Sequence, residues 1–176
     1  MPPGAGLGAT STPSGPLYLF APAGFTIASG AYTLTGNGGS QVGPFSVSTN
    51  FQSDFTVTNW DSVTAIDRSQ PLTFNWTGSG FDQVVILAST ATTVGANVHI
   101  ATITCHAPGA SGSYSVPAAA LAYLQPAATT GASFGSVSVE AISAPGTFTA
   151  PLVGGGQTDI GTFGANLGMD KNIAVQ

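Results

Sequence analysis

Apolar and polar residues alternate one by one in short runs along this chain, and the runs stop at Gly, Pro, Asn or Ser. In Leu72-Thr73-Phe74-Asn75-Trp76-Thr77 every second side chain is apolar, and Gly78 ends the pattern. Successive Cβ atoms of a strand point to opposite faces, so a period of two puts Leu72, Phe74 and Trp76 on one buried face. Helical spacing is almost absent. The same reading predicts strands in "DQVVILAST", apolar on both faces as in a central strand covered on each side, and in "NVHIATITCHAP", "GSVSVEAIS", "GTFTAPLV", "IGTFGANL" and "KNIAVQ". In "NVHIATITCHAP", Ala101, Ile103 and Cys105 share a face, and the apolar parity slips near Ile100, which suggests a bulge. The one helical candidate is "SVPAAALAYLQP", with Pro117 suited to the first helical position and Pro126 as its stop.

These runs predict an all-β fold: an antiparallel Ig-like or fibronectin-III-like β-sandwich over residues 59–176, with one short crossover helix. Residues 1–16 are expected to form an extended Pro/Gly-rich arm, and 17–58 a smaller N-terminal β-subdomain, complete or incomplete. The hairpin signal "GAYTLTGNGGSQVGPFSVST" (Gly30 to Thr49) leaves two alternatives open. Either it completes a small subdomain, or it ends a domain whose other strands are missing, leaving an edge for a partner strand to cover.

Charge narrows the function classes. The chain has two Lys+Arg against seven Asp+Glu, with 5% charged residues, where about 25% is usual. Arg68 and Lys171 cannot form a basic stripe, so nucleic acid is excluded as a partner. With 43% apolar residues the chain can build a core, and no apolar run reaches the length of a membrane span. The start lacks the pattern of a signal peptide, so either a leader has been removed or the chain is a piece of a larger product. A surface of Ser, Thr and Gly favours an extracellular or cell-surface location.

"GAYTLTGNGGSQVGPF", "VTNWDSVTAIDRSQPLTFNWTG", "TCHAPGASGSYSVPAAALAYL" and "LGMDKNIAVQ" together resemble the C-terminal region of a group of uncharacterised secreted proteins from Acidobacteria, from about Leu17 onward. The resemblance implies a secreted, Ig-like C-terminal region of a larger surface protein. It carries no catalytic residue across.

No chemistry stands out, and no catalytic, cofactor-binding or metal-binding residue is assigned; the chain is expected not to be an enzyme. Cys105 and His106 are strand neighbours facing opposite ways, and His99, on the face of Cys105, lies about 20 Å from it along an extended strand. Cys105 reads as a small buried hydrophobe. Asp54, Asp61, Asp67, Asp82, Glu140, Asp159 and Asp170 are dispersed and make no local metal-ligand pattern. Asp61 and Asp67 are expected to cap turns, with Asp67 or Glu140 pairing with Arg68. "GNGG" and "VGGGQ" lack the following Lys-Ser/Thr of a phosphate loop and read as turns. Asn75-Trp76-Thr77 matches a glycosylation sequon by coincidence.

Trp76 reads as core by its register with Phe74, whereas Trp60, Tyr18 and Tyr32 are candidates for a ligand site or interface. Trp60 lies at the expected domain boundary, either packed between subdomains or on an open face. Tyr114 and Tyr123 lie elsewhere, so the tyrosines make no single platform. Few charges leave sheet edges unguarded. The expected function is a self-associating structural or adhesive subunit, with copies of itself as partners in a filament or surface layer. The alternative is a carbohydrate-binding or spacer module of a larger secreted protein, with a glycan as ligand.

Overall fold

The computed structural model describes residues 28–176 in full, and the backbone alone of two further strands, β1 (Gly8–Thr12) and β2 (Gly15–Leu19). The remaining strands are β3 (Gly30–Gly36), β4 (Phe45–Phe51), β5 (Thr56–Val57), β6 (Ala65–Ile66), β7 (Leu72–Thr77), β8 (Gln83–Val94) and β9 (Asn97–Pro108). After them come β10 (Ser113–Val116), the single-turn helix α1 (Ala118–Leu121), β11 (Phe134–Ile142), β12 (Gly146–Phe148), β13 (Gly161–Phe163), β14 (Asn166–Asn172) and β15 (Ala174–Val175). All-β is therefore correct. Pairing is antiparallel except for β6 with β15. No helix among the described residues is long and apolar enough to cross a membrane.

The chain forms two compact units, Met1–Phe51 with Gly146–Phe163, and Gln52–Pro145 with Gly164–Gln176. In the first, β3 pairs with β4 from Gly30↔Phe51 to Gly36↔Phe45. The hairpin belongs to a small unit, and partners within that unit come from far downstream. Phe148 of β12 stacks on Phe45 with centroids 4.5 Å apart, Val153 N–H donates to Gln41 C=O, and Gly43 N–H donates to Pro151 C=O. Residues 146–163, expected in the sandwich, thus group with the first unit, and the first boundary falls at 51/52 rather than 58/59. Where an extended arm was expected, β1 pairs with β2; the rest of residues 1–16 lies outside the described residues.

The second unit has two main sheets, one ordered β10-β7-β5 and the other β14-β11-β8-β9. One buried cluster draws on both, with Phe74, Trp76, Val57 and Val116 from the first and Val84, Ile86, Val137 and Val139 from the second. Burying each such side chain contributes about 1.5–3 kcal/mol, which makes this sandwich-like core the main source of stability. Polar side chains lock the strand ends. Trp76 Nε1 donates to Gly109 C=O (2.9 Å), and Asn59 pairs with one edge of β7 by donating to Thr73 C=O and accepting from Asn75 N–H.

The helix expectation holds in reduced form. Pro117 stands at the N-cap rather than the first helical position, with ψ 145°, and its carbonyl accepts from Ala120 and Leu121. Leu121 and Leu124 enter the core, and Gln125 N–H donates to the buried Thr90 Oγ1. The bulge expected near Ile100 is absent: β8 and β9 pair without interruption from Gln83↔Pro108 to Val94↔Asn97. Nor is β8 covered on both faces. Val84, Ile86, Ala88 and Thr90 are buried, while Leu87 is exposed.

Candidate functional site

That uncovered face of the β14-β11-β8-β9 sheet is the most distinctive surface of the second unit. Strand registers arrange it in cross-strand rows, whose neighbours lie about 4.5–5.5 Å apart between Cβ atoms. One row reads Asn172, Ser136, Ser89, Thr102, and the next Asp170, Ser138, Leu87, Thr104. Ser89 and Thr102 share a 2.6 Å hydroxyl hydrogen bond. Towards the β8–β9 turn the rows become apolar, with Phe134, Ala91 and Ile100 side by side and Thr93 beside Val98. Ile100 and Val98 are 73% and 63% exposed, and Phe134 41%.

The opposite end of the face is acidic. Glu140 and Asp170 occupy diagonal positions on β11 and β14, and an open cleft of about 300 Å³ runs between Ser138, Glu140, Asn166 and Asp170. Gly168 leaves the space beside Glu140, since a Cβ there would stand 2.7 Å from Glu140 Cγ. Among the described residues no group of three or more His, Cys, Asp or Glu side chains could hold a metal ion. A second open cleft, about 440 Å³, lies at the hairpin tip between Thr92, Val94, His99 and Gln125.

Neither fixed cation is free to offset those acids by reaching outward. Arg68 donates through Nε to Gln176 C=O and through Nη1 to Leu124 C=O, each at 3.1 Å, so the pairing expected with Asp67 or Glu140 is replaced by bonds to backbone carbonyls. Lys171 Nζ sits 4.4 Å over the centre of the Trp60 ring and donates to the Trp60 carbonyl. Asp67 instead closes a turn, accepting from Ser69 N–H (2.9 Å) and Ser69 Oγ (2.7 Å). The Ser69 hydroxyl first, then its N–H, hold the Asp67 carboxyl below its ordinary value, against a smaller opposing effect of burial.

The aromatic candidates part company. Trp60 is buried in the core of the second unit with its ring 6.2 Å from Phe74, so it is not an open platform. Tyr32 is half-buried in the first unit, its hydroxyl donating to Ala28 C=O at 2.9 Å and its ring edge-on to Phe51. The Tyr18 side chain lies outside the described residues. Tyr123 is 77% exposed, beyond α1. Trp76 is core, as its register predicts.

Cys105 makes no nucleophilic pair with either histidine on its strand. His106 points away and shares a 3.0 Å hydrogen bond with Gln83 Oε1. Half-buried Cys105 lies beside Tyr114, whose phenol is held above its ordinary value by charge repulsion from Cys105, then by burial and a hydrogen bond to Cys105.

Sequence reasoning missed the apolar rows of the open face. Their signal was the parity slip at Ile100, which marks apolar residues on both faces of an unbroken strand. Comparison with family models, curated proteins and solved structures finds no match to this chain.

Proposed function

We propose that this chain is an extracellular structural or adhesive protein that associates with copies of itself, built on an Ig-like or fibronectin-III-like sandwich. The observation that carries the reading is the open face of the four-stranded sheet, where Val98, Ile100 and Phe134 stand exposed near one end of a surface otherwise rich in Ser and Thr. Exposed apolar side chains grouped in this way mark association surfaces. Both fixed cations are occupied by internal contacts, so a copy approaching this end meets no like-charged guard.

Strand order supports the Ig-like assignment. Taking β5, β7, β8, β9, β10, β11 and β14 in chain order, the first, second and fifth make one sheet. The other four make the second, with the sixth strand between the third and the seventh. This order is the one an Ig-like Greek key would have, which supports the reading. The low charge and the hydroxyl-rich outward faces support an extracellular setting.

Sedimentation velocity across a concentration series, with negative-stain microscopy of the same samples, tests the reading. The expected result is a weight-average mass that rises with concentration, with regular assemblies at the upper end. A constant monomer mass up to the solubility limit would overturn it.

A further inference from the structure

The open edge of β9 points to the contact by which two copies meet. β9 is the last strand of its sheet, 12 residues long, and holds no Lys, Arg, Asp or Glu. Edge strands of monomers are normally short or protected by charge. The opposite edge, β14, follows that rule with seven residues that include Asp170 and Lys171.

Hairpin geometry specifies which backbone groups are open. β8 and β9 are joined by the two-residue turn Gly95-Ala96 with Gly95 at φ 62°, as a tight hairpin with Gly at its first central position requires. In such a turn the flanking pair, Val94 and Asn97, exchanges both hydrogen bonds, and bonded and non-bonded pairs then alternate along the ladder. The N–H and C=O groups of Val98, Ile100, Thr102, Thr104 and His106 therefore point out of the sheet. All five residues are exposed, and no partner for their backbone groups exists among the described residues.

We infer that β9 pairs antiparallel with β9 of a second copy about a two-fold axis through Thr102, joining two four-stranded sheets into one. This rests on the self-association proposed above and names its surface. The register is self-complementary. Thr102 faces Thr102 of the copy, Ile100 faces its Thr104 and Val98 its His106, so every open group finds a partner in about ten hydrogen bonds.

Charge selects a copy of this chain at this edge rather than at β14. The chain carries a net charge of −5, and on the open face the acids Glu140 and Asp170 stand on β11 and β14. Pairing through β9 keeps the two Glu140 carboxylates five strand spacings apart, about 24 Å, well beyond the screening length at physiological salt. Pairing through β14 would bring the acids of both copies together. A two-fold contact closes at two copies, so larger assemblies use a further surface.

The test compares the full chain with Thr102→Pro and Thr102→Cys by sedimentation velocity and non-reducing electrophoresis, with circular dichroism and thermal melts as fold controls. Proline at 102 removes an N–H that faces the open edge, a place where strands accept it, together with the hydroxyl that bonds Ser89 Oγ within the same sheet. The expected result is native-like dichroism with association weakened at least about tenfold, the loss of roughly two hydrogen bonds. Two-fold pairing puts residue 102 about 5.5 Å from its own copy between Cα atoms, within disulfide reach. Thr102→Cys is therefore expected to crosslink in excess of wild type, which retains Cys105, whereas Ser138→Cys on the same face is not.

If wild type and Thr102→Pro associate equally and Thr102→Cys yields no excess crosslink, the β9 contact is wrong while self-association stands. If wild type is monomeric throughout and Thr102→Cys does not crosslink, both fall. Should Thr102→Pro fail to fold, the cysteine pair alone decides.

Discussion

The two main sheets of the second unit share one core but turn very different faces outward. On β10-β7-β5 the outward positions are Thr56, Thr73, Asn75, Thr77, Ser113 and Ser115, all polar and exposed, with Thr73 Oγ1 donating to Ser115 Oγ at 3.0 Å. On β14-β11-β8-β9 the outward positions include Leu87, Ile100, Val98 and Phe134. The first face satisfies itself and meets water. The second keeps apolar area and a neutral edge in contact with water, an arrangement that water disfavours and a partner would relieve. Strand alternation alone therefore does not make a finished surface; the identity of the outward residues decides whether a sheet ends at solvent or at a neighbour.

The sharpest test of this contrast sets the two sides of β7 against each other. Phe74 is fully buried between the sheets, so Phe74→Ala is expected to cost about 3–5 kcal/mol in urea unfolding, and Thr73→Ala, facing out, within about 0.5 kcal/mol. Comparable costs would mean that the outward hydroxyls carry structural weight of their own.

A second comparison uses adjacent residues of β14. Lys171→Met removes the cation over Trp60 and the donor to its carbonyl, and is expected to lower stability by about 1–2 kcal/mol. Asp170→Asn on the open face is expected to stay within about 0.5 kcal/mol. On β9, Ile100→Thr gives the open face the hydroxyl character of the other sheet. Its melting temperature is expected to stay near wild type, while association in sedimentation velocity weakens. Unchanged association would place the contact away from this apolar row.

The smallest effect concerns Asp67. Its carboxyl is held below the ordinary value of 3.8 by Ser69, so its contribution is present above that pH and is lost as the pH falls through the lowered value. The stability difference between wild type and Asp67→Asn is expected to shrink between pH 5 and pH 2, and only slightly, because the group is exposed.

Much of the fold was legible because it depends on near neighbours. Alternation marked Leu72–Thr77 as a half-buried strand with Phe74 and Trp76 inward, and glycine, proline and serine marked where strands stop. The candidate surface was legible only in part. The mixed parity around Ile100 could come from a bulge or from a strand that is apolar on both faces, and local sequence does not distinguish them. The unbroken β8–β9 register does. Trp60 looked ambiguous for a related reason, since its environment is supplied by Phe74 and by Lys171, far along the chain.

By itself, then, the sequence determined that this protein is β-structured, has a core-forming apolar content, and carries few charged residues. These follow from residue type and from a spacing of two, which act over a few residues. Tertiary structure alone decided that residues 146–163 join the first unit, that Arg68 and Lys171 are held against backbone carbonyls, and that β9 rather than β14 is the neutral edge. Each is a matter of which distant segments come to lie side by side, and that depends on how all the strands bury their apolar faces together.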